Sequence, residues 1–172
     1  MLIRLVIEMV ETVIKTVKIE KSENTQVILG HAGFIKTAED LYEALINSAP
    51  GIKFGVAFNE ASGPRLVRTE GNDEVLRHLA AKNALAIGAG HTFVVLFDNA
   101  YPVNVSNAVK GVVEVSGLFC ATANPVTVVI AKTGPDSAVI GVADGSDAIG
   151  SESEADMRSR REFVRRIGYK LQ

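Results

Sequence analysis

Gly88-Ala89-Gly90-His91-Thr92-Phe93-Val94-Val95-Leu96-Phe97 is the stretch on which the reading of the fold turns. Ahead of it, Gly71-Asn72-Asp73 opens a segment in which Val75, Leu76, Leu79, Ala80, Ala84 and Ile87 recur at helical spacing. Phe93–Phe97 is an unbroken apolar run of strand length. A helix therefore hands over to a buried strand across two glycines and an imidazole. Glycine tolerates φ > 0 and lets another group approach the backbone closely. Junctions between elements are also where open α/β sheets hold ligands. His91 is thus a candidate base, ligand or phosphoryl carrier. The plainer reading of the same residues is a glycine C-cap followed by a packed histidine.

The pattern extends in both directions. Ile52–Phe58 reads as a strand with Ile52, Phe54, Val56 and Phe58 on one face. Val13–Ile19 alternates as a strand, and Thr25–Ile35 reads as two short extended pieces or one bent strand around Gly30 and Gly33. Thr37 is placed as the cap of a helix carrying Leu41, Leu45 and Ile46, stopped by Ala49-Pro50-Gly51. Ala61–Thr69 reads as a polar loop, and a short helix is expected around Val105–Val109. Val112–Cys120 leads into a strand that turns at Ala121–Pro125. Val126–Ala131 and Ala138–Val142 pair as a hairpin, and Ser153 caps a last helix that ends at Gly168. In that helix Glu154 and Asp156 lie in the first turn and Arg165 and Arg166 in the last, each sign matching the helix dipole. This alternation predicts an α/β fold: a single compact layered domain with a mixed sheet flanked by helices.

Composition removes several function classes. The 172 residues are 47% hydrophobic but only 6% aromatic, without Trp, so the core is aliphatic. A net charge of −2 gives no pull toward nucleic acid or an anionic membrane. The one cysteine, Cys120, sits in an apolar strand as a packed thiol and fits a reducing, cytoplasmic setting. No uncharged run is long enough to span a membrane. Phosphate-loop, dinucleotide-fold and zinc-hydrolase signatures are absent. No set of metal ligands is assigned.

Asn59-Glu60-Ala61-Ser62-Gly63-Pro64-Arg65 follows directly on the Ile52–Phe58 strand. It gathers an amide, a carboxylate, a hydroxyl and a guanidinium in one loop. Arg65 is suited to clamp a phosphate with paired donors. Glu60 is suited to accept ribose hydroxyls or hold a metal. The bland alternative is a Pro-containing turn stapled by a Glu60–Arg65 ion pair. Asn104, Asn107 and Asn124 read singly as turn and cap residues, and together as a set able to read a purine edge. His78 reads as a surface residue and Asp144 as a turn residue or metal carboxylate. His31 lies between glycines without a firm assignment.

The run Gly51–Arg68 resembles the signature of the adenosine-specific kinase family of archaea and bacteria. So do Gly71-Asn72-Asp73, Gly88-Ala89-Gly90-His91, Tyr101-Pro102-Val103-Asn104, Cys120–Pro125 and Gly168-Tyr169-Lys170, in this order and spacing. The similarity covers residues 14–172 and leaves 1–13 as an N-terminal extension. It implies a compact α/β subunit, a homo-oligomer with a trimer favoured, recognition of adenosine or AMP, and a histidine that carries phosphate, by motif His91. The expected activity is that of a cytoplasmic adenosine/AMP-binding phosphotransferase. The alternative is a non-catalytic adenosine/AMP sensor, and a third reading is a structural oligomer without ligand. Catalysis is assigned to His91, Arg65 and Glu60. Substrate binding is assigned to Asn59, Ser62, Arg68, Asn72, Tyr101, Asn104, Asn107 and Asn124. The cofactor stays open, with Mg2+ as the candidate, and neither nucleic acid nor membrane is expected as a partner.

Overall fold

The structure, a computed structural model, describes residues 11–171. In chain order the elements are β1 (Thr12–Lys18), β2 (Gln26–Ala32), α1 (Thr37–Ile46), β3 (Lys53–Asn59), β4 (Val67–Gly71), α2 (Glu74–Ile87), β5 (Thr92–Asp98), α3 (Pro102–Gly111), β6 (Val115–Thr122), β7 (Val126–Thr133), β8 (Asp136–Asp144) and α4 (Glu154–Arg166). The strands form a five-stranded sheet, β4-β3-β5-β2-β6, and a three-stranded sheet, β1-β7-β8. The α/β layering is as expected. In place of one mixed sheet there are two, and every strand pairing is antiparallel.

Period-2 alternation builds the layers. On β5, Phe93, Val95 and Phe97 face one way and join Phe54, Val56 and Phe58 of β3 under α1 and α3. Val94 and Leu96 face the other way, into a core with α2 and with Val126, Val128 and Ile130 of β7. The central strand is covered on both faces, which is why Phe93–Phe97 reads as a continuous apolar run. Its close fit requires glycine at position 55, where a Cβ would lie 2.2 Å from the main-chain nitrogen of Arg77. The first turn of α2 packs directly on β3 there.

Several local expectations are corrected. The loop expected over Ala61–Thr69 contains the start of β4, an edge strand pairing Val67 with Asn59. Its alternation is too short and too polar to announce a strand. Thr37 is the first helical residue of α1 rather than its cap; the flanking position is Lys36, and the Thr37 hydroxyl donates back to the Phe34 carbonyl. Val75 is exposed, and the buried face of α2 takes Asn83 in its place. Asn83 is accommodated because its amide donates to Glu20 O and its Oδ1 accepts from Glu20 N, both at 2.8 Å. Thr25–Ile35 holds one strand, β2, with register shifts at Gly30 and Ala32. The short helix begins at Pro102, whose missing N–H costs nothing at a helix start. Asp73 caps α2 and Ser153 caps α4 through a reciprocal box with Asp156. Residues 1–10 of the expected extension lie outside the described residues, and Thr12 and Val13 belong to β1.

Cys120 is a buried free thiol, and burial pushes its pKa up to about 11. Asp144 accepts from the Asn124 amide at 3.0 Å, which ties the β6–β7 turn to the end of β8. No helix among the described residues is long and apolar enough to cross a membrane.

Candidate functional site

Antiparallel pairing brings the end of β2, the end of β3 and the start of β5 to one end of the five-stranded sheet. His31 lies opposite Thr92 in register, and Phe58 opposite Phe93. The α2–β5 junction is built there. Gly88 takes the left-handed C-cap conformation (φ 62°), Ala89 is buried, and His91 is itself left-handed (φ 62°). A non-glycine residue in that region carries strain of roughly 1–3 kcal/mol and persists only where its surroundings hold it. They do so here: the His91 amide donates to Asn59 O, and the His91 carbonyl accepts from Ala32 N, both at 2.8 Å. Gly90 is needed for close approach, since a Cβ there would meet the Ala61 Cβ at 2.9 Å.

Asn59 is a buried staple of this junction. Its Nδ2 reaches Ala84 O (2.9 Å), Thr92 Oγ1 (3.0 Å) and Ala89 O (3.1 Å). It thereby ties the Ala84 carbonyl in the last turn of α2, which also accepts from Gly88 N, and the Ala89 carbonyl, which also accepts from Thr92, to the entry of β5.

The half-buried His91 ring stacks on Phe58, with centroids 6.2 Å apart and planes at 17°. The His31 ring meets it edge-on, with centroids 5.7 Å apart and planes at 86°. A cavity of about 160 Å³ opens at His91, lined also by Gly33, Phe34, Ile35, Phe58, Glu60, Ala61 and Ser62. A second cleft of about 500 Å³ is lined by Arg65 and Pro64, by Leu85, Gly88 and Gly90, and by Pro135, Asp136 and Ser137 from the β7–β8 turn. Glu60 and Ala61 line both cavities.

The loop after β3 is a tight structure. Arg65 is left-handed (φ 54°), its amide 3.4 Å from Ser62 O. The ion pair of this loop joins Glu60 to Arg68 (3.0 Å), not to Arg65. The Leu66 N–H (3.1 Å) and then the Arg68 guanidinium hold the Glu60 carboxyl below the usual carboxylate range. Both Glu60 oxygens are thus engaged, and among the described residues no three His, Cys, Asp or Glu side chains converge as a metal-ligand set. Arg65 is exposed and has no ion-pair partner among the described residues.

His91, Glu60, Ser62, Arg65, Arg68 and Asn59 are therefore brought together. Asn72, Tyr101, Asn104 and Asn124 are not. Asn72 bonds Phe54 N and Ile52 O, both at 2.8 Å, at the opposite end of β3, six residues or about 20 Å of strand from Asn59. Asn104 accepts from Tyr101 N (2.8 Å) as a cap of α3, which starts at that same far end. Asn124 lies beyond Thr122, which pairs with Val27 at the far end of β2. Asn107 is exposed on α3.

His31 was missed by sequence reasoning as part of this group, together with Ser116, which bonds it. The signal was present: Gly30-His31-Ala32-Gly33 is bracketed by glycines much as His91 is preceded by them. A Cβ at Gly30 would lie 2.4 Å from the Phe93 ring, so the strand reaches His31 only through glycine.

The sequence model of the family described as "Adenosine specific kinase" matches residues 17–170. Among solved structures, the chain is similar to the crystal structure of PH1918 protein from Pyrococcus horikoshii OT3. The identity is 48%, 94% of this chain and 100% of that chain are covered, and the TM-score is 0.91. No curated protein matches the chain.

Proposed function

The chain belongs to the adenosine specific kinase family, and from that premise we propose that it is a phosphotransferase acting on adenosine or AMP with His91 as the phosphoryl carrier. The observation that carries this reading is the strained, clamped backbone of His91 at the mouth of a small cavity beside a larger one. The 500 Å³ cleft falls within the roughly 300–1,000 Å³ range of small-molecule sites. The 160 Å³ cavity at His91 is below that range and suits a single phosphoryl group. The nucleoside occupies the cleft and the phosphoryl group the cavity, with Glu60 and Ala61 between them.

In this reading a neutral His91 nitrogen attacks the donor phosphorus. The N–P bond forms as the bond from phosphorus to the leaving oxygen breaks. The phosphoryl group then passes to an acceptor hydroxyl of the nucleoside, the N–P bond breaking as the O–P bond forms and the hydroxyl proton going to the imidazole nitrogen that phosphorus leaves. Arg68 is committed to Glu60, so Arg65, which lines the cleft, offsets charge on the phosphate of a bound AMP. Glu60 orients the loop and, through it, a nucleoside hydroxyl. A purine-reading role for Asn104 or Asn124 requires a neighbouring subunit, in keeping with a cytoplasmic homo-oligomer, a trimer by family resemblance.

One observation favours a second reading, a sensor that binds without turnover: Glu60, the carboxylate that lines the His91 cavity, is occupied by Leu66 and Arg68 and offers no free base. Phosphohistidine analysis by intact mass, on wild type and His91→Ala, tests the first reading. Acid-labile phosphate is expected in the wild type alone. Equal labelling of both proteins removes His91 as the carrier, and saturable adenosine binding with no transfer from any donor leaves the sensor.

A further inference from the structure

We propose that His31, locked in place by Ser116, is a positioning residue for His91: it fixes which ring nitrogen of His91 is presented at the cavity, and so which isomer of phosphohistidine forms. The isomer rests on the preceding reading of His91 as carrier; the ring orientation does not.

An imidazole that acts as a nucleophile is usually oriented by a hydrogen bond to its other nitrogen. His91 is held differently. Its bonds to Asn59 and Ala32 are main-chain bonds, and among the described residues no side chain hydrogen-bonds its ring. Two rings meet it instead. Buried Phe58 lies nearly parallel to it, at 17°, and His31 nearly perpendicular, at 86°. The terminal torsion of a histidine is broad and roughly two-fold. A half-turn about Cβ–Cγ keeps the ring plane but exchanges Nδ1 with Cδ2 and Nε2 with Cε1. The edge at the cavity then offers Nε2 in one state and Nδ1 in the other. Phe58 presents a hydrocarbon face, which contacts both states alike. His31 is the neighbouring ring that carries polar atoms, and it separates the two.

His31 can do so because its own ring is fixed. The Ser116 hydroxyl has one proton and donates it to the His31 carbonyl (3.1 Å). The same oxygen lies 2.8 Å from His31 Nδ1 and accepts there. A half-turn of the His31 ring would set a carbon against that oxygen and lose the bond. The strand pairing is built for this contact. On β6, Gly117 pairs with His31 and Val115 with Ala32, which leaves Ser116 as the extra residue of a bulge. A bulge re-aims a side chain at the cost of one ladder position. The next residue of β2, Ala32, donates its N–H to the His91 carbonyl, so one strand holds both the backbone of His91 and the ring beside it.

The test uses the full-length protein. Nuclear Overhauser effects from Hδ2 and Hε1 of His91 read the ring orientation without phosphate. Phosphoramidate then serves as donor, and phosphorus NMR resolves the two phosphohistidine isomers, with His91→Ala as background. Wild type is expected to show one orientation and one isomer. His31→Ala is expected to show both, the second rising to about half if the two ring states become equal in population. Ser116→Ala, at an exposed position that leaves both rings in place, should show both isomers with a smaller share of the second. Ser116→Thr keeps the hydroxyl and should keep the single isomer. A purely structural part for His31 would lower the yield without changing the isomer ratio. One orientation and one isomer in both His31→Ala and Ser116→Ala overturn the proposal, as does a mixture in wild type. If His31→Ala does not fold, Ser116→Ala decides. If wild type forms no phosphohistidine, the carrier reading ends and the ring orientations decide: two in the variants sustain the positioning role, and one overturns it. A single isomer that survives both variants leaves the carrier reading intact and removes His31 from it.

Discussion

The main-chain carbonyl of Asn59 accepts the His91 amide at 2.8 Å, while the Asn59 side chain binds Ala84, Ala89 and Thr92 around it. One residue at the end of β3 thus fixes both the backbone of the candidate nucleophile and the helix end that precedes it. Position 59 sets the geometry at residue 91 from the neighbouring strand.

Removing that staple should cost stability and reactivity together. Asn59→Ala removes a buried donor from the Ala84 and Ala89 carbonyls, which keep Gly88 N and Thr92 as their other donors. It is expected to destabilise by about 0.5–1.5 kcal/mol in urea unfolding. Phosphohistidine formation should fall with it, and Asn59→Asp should fare no better, since it sets a carboxylate against the same carbonyl oxygens.

The left-handed backbone of His91 makes a contrast between two variants informative. His91→Ala and His91→Gly both lose the ring and its contacts with Phe58 and His31. Only glycine is free of the Cβ penalty at φ 62°. His91→Gly should therefore be more stable than His91→Ala by about 1–2 kcal/mol, read from thermal or urea midpoints. Equal stabilities would mean that the strain at this position is not present in solution.

Arg65 is exposed and has no ion-pair partner among the described residues, so its loss should leave folding nearly untouched. Arg65→Ala is expected to shift stability by no more than about 0.5 kcal/mol. It should weaken AMP binding by roughly tenfold or more, the weight of a charge-assisted hydrogen bond to phosphate. Adenosine, which has no phosphate, should be affected far less. Titration calorimetry with both ligands separates the two effects.

Glu60 gives the fold an acid-sensitive contact. Its pKa is depressed in the folded state by Leu66 N–H and then Arg68, so the unfolded chain binds the proton more readily. The contribution is present above the ordinary carboxylate range and is lost as pH falls through the folded value. The stability difference between wild type and Glu60→Gln should therefore shrink on acidification, as followed by urea unfolding from neutral to acidic pH. A difference that stays constant would mean that the ion pair with Arg68 does not form in solution.

Much of the chain could be read before any coordinates. The run Phe93–Phe97, the odd-even split of Ile52–Phe58, the helix start at Gly71-Asn72-Asp73, the Ser153 cap and the Gly88 terminus are each written in residues a few positions apart. The turn carrying His91 and the loop carrying Arg65 were legible for the same reason. Edge strand β4 was not, because its five half-buried residues lack a clean alternation. The side chain that binds Glu60 was misassigned, because the choice between Arg65 and Arg68 depends on β4 folding back beside β3.

Local periodicity and capping, determined by neighbouring residues, let the sequence by itself establish the helices, most strands and the glycine-built junction at His91. The tertiary structure decided which ends of those elements meet. All-antiparallel pairing set His31 beside His91 across sixty positions of chain and left Asn72, Asn104 and Asn124 away from it. That outcome rests on burying both faces of β5 against α1, α3, α2 and β7 at once, a condition that no single segment contains.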